Sequence, residues 1–398
     1  MKKLPLVLAL SAATLCTFAN AQSVQVYGKL YPYLEIESGS GQTAAGTSSA
    51  TLAPNPTGLV GVPKVKGMSA GNSYIGFRGR EDLGGGMRAI FQLEGVVLVD
   101  NGAQAGFFFN RNTFVGLTGN FGSVKLGTMD TVFKEYGDTL GILGISSGTP
   151  VSSSNILRKV SFGTSNTARF HERRANSIRY DSTEIAGGFQ VAGQWATQEN
   201  PTATRGPAKT LSLGVKYDKG PFYASLAWEK HDNFFGGSVN SPSAMRNNGV
   251  TDTVTSKDTA VQAAFEWRFA KGHAVEFDVI KKEYKEGAVV NGRFQSYKNT
   301  AYLVGYDGRF DLWRVMAHYV KSDAGNCTRL NAVCATTGLE GTQLTAGVAY
   351  YLSRRTFLYG AFSQIKNGSA ARFAAADFGA PTPGEDVRHI MSGISHNF

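Results

Sequence analysis

Basic side chains spread along the sequence are the residues whose type and spacing suggest chemistry. They occupy polar positions within, or at the start of, segments that alternate apolar and polar residues: Lys29, Arg78, Arg80, Arg88, Arg111 and Arg179. Arg179, for example, stands between Ile178 and Tyr180, so in a strand it faces away from both. A fixed row of cations attracts small anions and orients polar solutes in a pore. The predicted chemistry is therefore electrostatic selection among ions and polar solutes.

Catalysis is an alternative that rests on one motif. Residues 144–148 read Gly-Ile-Ser-Ser-Gly, which matches the G-x-S-x-G pattern. That pattern activates a serine only on a strand-to-helix elbow with histidine and acidic partners, and here it lies in a polar loop. His171 and His273 are isolated, and the sequence has no phosphate loop, metal cluster or dinucleotide fingerprint. We therefore predict no enzyme, no cofactor and no metal, with an outer-membrane enzyme as the alternative.

The composition favours one large β unit. Charged residues make up 18% of the chain, below the ~25% usual in soluble domains, and no Pro-rich or Ser-rich linker divides it. The net charge of +10 is dispersed along the chain. A dispersed charge indicates a lining, so we expect no nucleic-acid partner.

The first residues predict export. Lys2 and Lys3 precede an apolar stretch at 4–15, and Ala19-Asn20-Ala21 fits a signal-peptidase site. We predict a signal peptide over 1–21 and a mature domain over 22–398. Beyond the signal no apolar run approaches the ~20 residues of a membrane helix, so the protein is expected in the periplasm, the outer membrane or the medium.

Two cysteines remain in the predicted mature chain, Cys327 and Cys334. In an oxidising compartment this spacing favours a small disulfide loop over a metal site.

The remaining sequence alternates with a period of two, which predicts a sheet with two unlike faces. Connections alternate too: seven short turns, six of them with Gly, Asn or Asp, separate eight long polar stretches, near 38–72, 99–109, 130–172, 198–208, 232–256, 285–296, 323–340 and 367–385. Fifteen connections imply sixteen antiparallel strands, and this asymmetry is typical of a transmembrane β-barrel. A soluble sandwich or propeller is the alternative, because alternation alone fits both.

The last residue supports the barrel. Ile390, Ile394, His396 and Phe398 fall on one face of a strand that ends on an aromatic, whereas chain ends usually fray. We predict that the last strand pairs with the first one, near residues 24–36.

The chain resembles the trimeric general porins of Gram-negative bacteria, most closely the β-proteobacterial, Burkholderiales-like branch. The resemblance is carried by the order of several segments across the mature chain: 26–29 (VYGK), 75–84 (IGFRGREDLG), 89–94 (AIFQLE), 110–117 (NRNTFVGL), 176–180 (NSIRY) and 393–398 (GISHNF). It implies a water-filled barrel in the outer membrane, a homotrimer, contact with lipid and lipopolysaccharide, and recognition of Phe398 by the barrel-assembly machinery. It also implies that the third long loop, 130–172, folds into the lumen and narrows it.

Together these observations predict passive diffusion of small hydrophilic solutes, with anions preferred. Loop acids Asp130, Glu135 and Asp138 are expected to face the basic wall; solvated loop charge is the alternative for them. Ion pairs with inward acids are the alternative for the arginines.

Two departures from the family pattern remove positive charge, because Tyr74 and Thr128 stand where the branch often has arginine. Three tyrosines are expected to face inward beside Lys29: Tyr27, Tyr31 and Tyr33. They leave open a channel specific for organic or aromatic anions, and ordinary packing in the lumen is the alternative for them.

Overall fold

The computed structural model describes residues 23–47, 50–55, 61–103, 108–137, 139–141, 149–163, 169–199, 206–247, 253–375 and 381–398. They form a single antiparallel sheet that closes on itself. The strands are β1 Ser23–Leu30, β2 Tyr33–Ser40, β3 Val65–Ser69, β4 Tyr74–Gly84, β5 Met87–Val96, β6 Thr113–Gly119, β7 Gly122–Asp130, β8 Arg173–Asp181, β9 Phe189–Thr197, β10 Lys209–Lys219, β11 Phe222–Asp232, β12 Ser256–Ala270, β13 His273–Glu286, β14 Phe294–Phe310, β15 Trp313–Ser322, β16 Asn326–Arg329, β17 Gly341–Tyr351, β18 Thr356–Asn367 and β19 Asp386–Asn397. The short α-helices are α1 Val132–Glu135 and α2 Ser154–Leu157, and the 3₁₀ turns are Ser238–Asn240 and Ser243–Met245.

These segments make sixteen barrel strands. β1 and β2 are one strand interrupted at Pro32, which lacks an N–H for the ladder. β3 and β4 likewise form one strand, and β16 is a short addition that pairs with β14. The sixteen-stranded antiparallel barrel is confirmed.

The two faces of the wall differ as the alternation predicts. On β12 the side chains of Phe265 and Trp267 are exposed, whereas Gln262 and Glu266 are buried. The exposed face is an apolar band that surrounds the sheet, and the opposite face is rich in polar and charged groups. Burial of polar groups on one side of an apolar wall suits a barrel in lipid.

Connections follow the predicted asymmetry. Short turns join β4 to β5, β6 to β7 and β12 to β13, whereas long segments follow β2, β7 and β11. Within the described ranges no helix has the length and apolarity to cross a membrane. The predicted signal peptide, 1–21, lies outside the described residues.

The barrel closes between its first and last strands. β19 pairs with β2, from Gly393 opposite Tyr33 to Asp386 opposite Ser40, and then reaches Lys29 of β1. The seam therefore runs along residues 28–40. The predicted pairing of the last strand with the first is confirmed, but its range is shifted from 24–36 toward later residues. The reason is length: β19 stops at Asn397, so it does not extend alongside the start of β1.

The terminal aromatic is fixed at this seam. Phe398 and Gly28 exchange two backbone hydrogen bonds, at 3.1 and 3.2 Å. A Cβ atom on Gly28 would lie 2.4 Å from the Phe398 ring and 2.6 Å from the carbonyl oxygen of Tyr74. Only glycine fits between the ring and the neighbouring strand.

We expect Gly28→Ala to destabilise the folded barrel by about 1–3 kcal/mol, the usual cost of overpacking. Refolded protein analysed by heat-modifiable gel mobility should show a lower melting temperature. Gly360→Ala is the control, because its added Cβ would have its nearest neighbour at 3.8 Å. Equal melting temperatures for the two variants would contradict this account of the seam.

Candidate functional site

The segment after β7 packs against inward-facing side chains of the barrel wall. Its first helix, α1, buries Val132 and Phe133 and is capped by the Thr131 hydroxyl. Phe133 donates its N–H to Ser212 Oγ at 2.9 Å, and its carbonyl accepts from Gln262 Nε2 at 2.8 Å. The helix is thus attached by side chains of β10 and β12.

Carboxylates of the wall hold the next part of the segment. Glu276 accepts the backbone N–H groups of Thr139 and Leu140, at 2.5 and 2.8 Å. The Thr139 hydroxyl donates to Glu266 at 2.6 Å. Hydrogen bonds to ionised acceptors are among the strong ones, so these acids satisfy a loop backbone that has no secondary-structure partner.

A buried lysine holds the second helix. Lys282, on β13, donates to the carbonyls of Leu157 and Lys159, each at 2.9 Å. These groups lie at the C-terminal end of α2, where carbonyls lack helical partners. Arg158 donates to Gln262 at 3.2 Å. Acidic side chains of the wall therefore hold the loop near residues 139–140, and a cation of the wall holds it at its second helix.

A network of alternating charges joins the loop to β7 and β8. Arg179 pairs with Glu135 and Asp181, both at 2.6 Å, and donates to the carbonyl of Asp130 at 3.1 Å. Asp181 also pairs with Lys125 at 3.0 Å.

Asp130 pairs with two cations as well, Lys134 at 2.8 Å and Arg173 at 3.0 Å. The network thus joins four cations, Lys125, Lys134, Arg173 and Arg179, to three acids, Asp130, Glu135 and Asp181, and carries one excess positive charge. Arg179 faces inward, and Ile178 and Tyr180 are exposed on the other side.

A second basic group lies across β1, β4 and the segment before β6. The guanidinium of Arg78 lies 4.7 Å from the ring centre of Tyr27, and that of Arg111 lies 4.6 Å from Tyr74. Arg111 also forms an ion pair with Glu94. We call Lys29, Arg78, Arg111, Tyr27 and Tyr74 the basic–aromatic strip.

Lys29 completes the strip because it pairs directly with Tyr74 in the sheet register. Its ammonium lies 5.3 Å from the ring centre of Tyr31 and 5.9 Å from that of Phe357. Cations in front of aromatic faces gain about 0.5–2 kcal/mol from the ring quadrupole. The rings therefore hold cationic groups in place at the wall.

The other predicted site residues are not brought into these two groups. Arg80 and Arg88 are exposed near the turn between β4 and β5. Asp138 and the 144–148 motif lie outside the described residues. Cys327 and Cys334 are joined by a disulfide.

Several residues of the site were not predicted from sequence. Glu276 and Lys282 sit on the polar face of a strand like many others, and only the path of the loop distinguishes them. Asp181 had a local signal, because it stands two positions after Arg179 on the same strand face.

Comparison with known proteins decides the family. A model of the Gram-negative porin family matches residues 7–370. The chain belongs to this family. As a porin, it is an outer-membrane channel, and the enzyme alternative is not supported.

Individual relatives agree with this assignment. The porin is 28% identical over 336 residues to outer membrane porin protein 32 of Delftia acidovorans, which covers 83% of this chain and 85% of that protein. It is 30% identical over 233 residues to the major outer membrane protein P.IB of Neisseria meningitidis serogroup B, covering 58% and 60% of the two chains.

Solved structures share the fold. An anion-selective porin from Comamonas acidovorans superposes with a TM-score of 0.70 at 23% identity, over 95% of this chain and all of that one. OmpT of Vibrio cholerae gives 0.61 at 12% identity, over 96% of this porin and 99% of the other chain.

We expect Glu276→Ala to loosen the loop, because two N–H groups lose their acceptor at a cost of about 1–3 kcal/mol each when buried. Limited proteolysis followed by mass spectrometry should show faster cleavage within 130–172. Glu283→Ala is the matched control on the same strand, since Glu283 lies on the outward face and pairs with Lys285. If both variants resist protease as the wild type does, the wall carboxylate does not hold the loop.

His171 gives the loop a pH dependence. Burial, reinforced by Lys134, Arg158, Lys159 and Arg169, holds the pKa of His171 well below its usual range. The unfolded chain binds a proton below about pH 6.5 while the folded one does not, so stability is full above that pH and falls as the pH drops below it.

Urea unfolding in lipid vesicles at pH 7 and pH 5 measures this effect. His171→Asn should reduce the loss of stability by up to about 1.4 kcal/mol per pH unit below pH 6.5. Equal losses in the two proteins would show that His171 contributes nothing to it.

Proposed function

We propose that this porin is a passive channel for small hydrophilic solutes that prefers anions, with the loop at 130–172 narrowing the lumen. The proposal rests on how the inward charged groups are paired. Glu276 and Glu266 accept hydrogen bonds from the loop, whereas the Arg78 guanidinium donates to the neutral Gln25 side chain at 3.0 Å and lies against the ring of Tyr27.

The acids around Arg179 cancel only part of the positive charge there. Asp130 and Asp181 are each shared by two cations, so four cations meet three acids once Glu135 is included. In a pore, fixed charges at the narrowest part set which ions enter. An excess of positive groups on this side of the wall favours anions, in line with the anion-selective porin of the same fold.

The contacts of the loop support its role as the constriction. Its helices contact strands on different parts of the wall: α1 meets β10 and β11, and α2 meets β14, β15 and β17. A long loop attached at both helices is stiff enough to hold charges at defined positions. We infer that Glu135, paired with Arg179, marks the negative side of a transverse field.

Assembly is proposed on the same basis. A trimer form is known for OmpT, which shares the fold, and the family is trimeric in the resemblance described above. We propose a homotrimer that contacts lipid and lipopolysaccharide, with Phe398 recognised by the barrel-assembly machinery. An unheated sample that already runs at monomer mass, in a band that heating does not shift, would argue against this assembly.

Transport of organic anions is a second candidate, favoured by the basic–aromatic strip. Tyr27 and Tyr74 meet edge to face with ring centres 6.2 Å apart, and two guanidinium groups lie against them. Rings beside fixed cations suit a carboxylate attached to an aromatic ring. Stronger block of chloride current by benzoate than by acetate would favour this candidate.

Selectivity is tested in planar bilayers under a salt gradient. The wild type should give a reversal potential of anionic sign, and Lys29→Glu and Arg78→Glu should each lower the anion-to-cation permeability ratio severalfold. Lys366→Glu is the control, since Lys366 is exposed on the outward face of β18. Absence of stepwise conductance would overturn the channel, and a cationic reversal potential would overturn the selectivity.

A further inference from the structure

The ladder of backbone hydrogen bonds between β8 and β9 ends before either strand does. The two strands pair only as far as Ser177 opposite Ala196. Beyond that point Asn176 has a left-handed backbone with a φ of 51°, while β8 continues along β7 with Arg174 opposite Met129. The wall therefore has a gap between β8 and β9 at the end that carries the long connections, which is the extracellular end in such barrels.

A cavity of about 420 Å³ lies in this gap, and we call it the β8–β9 cavity. Its lining includes the buried residues Thr210 and Phe234 and the exposed residues Asn176, Gln198 and Glu199. The cavity is thus closed on one side and open on the other. Because one water molecule takes about 30 Å³ in the liquid, this space can hold a small organic molecule.

Arg174 lines the cavity and has a donor to spare. Its guanidinium lies 4.5 Å from the ring centre of Phe234, and its Nη2 atom lies 3.4 Å from His231 Nε2. Its Nε atom is buried without a hydrogen-bond partner among the described residues, and so is the hydroxyl of Thr210. Buried polar atoms without a partner cost free energy, so both atoms favour a ligand that enters the cavity.

The charged neighbours of Arg174 are engaged elsewhere. Glu229 pairs with His231 at 2.8 Å. Arg173, the other cation that lines the cavity, pairs with Asp130 at 3.0 Å. Arg174 is therefore the cation of this cavity that is best placed to bind an anion.

The donors and the charges of the cavity select the class of anion. The edge of a guanidinium beside a hydroxyl matches the two oxygens of a carboxylate. Glu199 at the exposed side repels further negative charge, which disfavours dianions. Asn176 and Thr197 also line the cavity and offer hydrogen bonds to a polar substituent.

We propose that the β8–β9 cavity binds a small organic monocarboxylate. Arg174 Nε and the Thr210 hydroxyl donate to the carboxylate, and a hydroxyl substituent of the ligand lies toward Asn176 and Thr197. The site is separate from the basic–aromatic strip and goes beyond the proposed channel function, because binding there does not require an ion preference in the lumen.

A fluorine label beside the cavity tests the proposal, because it reports binding at this place alone. Ala175→Cys puts a thiol at the exposed side of the cavity, and Cys327 and Cys334 do not compete for the label because they are joined by a disulfide. With a trifluoromethyl group on that thiol, titration of the refolded mature porin with lactate should give a saturable shift of the ¹⁹F resonance.

Variants assign the shift to the two donors. In the labelled porin, Arg174→Gln should weaken lactate binding at least about tenfold and Thr210→Val about fivefold, the usual worth of a charged and of a neutral hydrogen bond. Thr210→Val nearly keeps the side-chain volume, so it decides the question if Arg174→Gln does not refold. Arg354→Gln is the control: it removes an exposed arginine from the turn between β17 and β18 and should leave the affinity within about twofold.

Three results would overturn the site: no lactate-dependent shift, an unchanged affinity in Thr210→Val, or tighter binding of phosphate than of lactate at about pH 8, where phosphate is a dianion. Bilayer conductance is measured separately on the same protein. A porin that conducts but gives no lactate shift keeps the proposed channel and loses this site, whereas a lactate shift without conductance does the reverse.

Discussion

Every backbone N–H and C=O group that enters a lipid bilayer needs a partner within the protein, because hydrocarbon offers none. The closed antiparallel sheet meets this demand for the wall, and the seam between β19, β2 and the end of β1 completes it. At Gly28 this closure leaves no room for a side chain, since the backbone and ring of Phe398 occupy the space that it would need.

The same demand acts on the loop at 130–172. Much of this segment lacks a regular backbone partner, so side chains of the wall supply the bonds: Ser212 and Gln262 at α1, Glu276 beyond it, and Lys282 at α2. The hydrogen bonds that the loop needs occupy carboxylates of β12 and β13. We propose that, with these acids held by the loop, the cations of the basic–aromatic strip set the ion preference of the channel.

Much of the fold could be predicted from sequence because a sheet in lipid has a strict period. The alternation of apolar and polar residues placed Phe265 and Trp267 on one face of the sheet and Gln262 and Glu266 on the other. The number of connections between strands predicted sixteen strands. The exact seam could not be predicted, because it depends on where β19 stops. The inward direction of Arg179 followed from its neighbours, but its ion pairs with Glu135 and Asp181 did not, since they depend on how the loop folds back.

Tyr74 shows another limit of prediction from sequence. In the sequence it stands where related chains often have arginine, so it removes a positive charge. In the fold its ring lies against the guanidinium of Arg111. A substitution that removes a charge at one position can hold a neighbouring charge in place, and only the three-dimensional arrangement reveals this.

Anomalous diffraction from porin crystals soaked in bromide or rubidium tests the central claim most directly, because it locates the ions that the lumen attracts. Bromide peaks beside Lys29, Arg78 and Arg111, with rubidium absent there, are the predicted result. Rubidium bound along this strip, with no bromide in the lumen, would contradict the account.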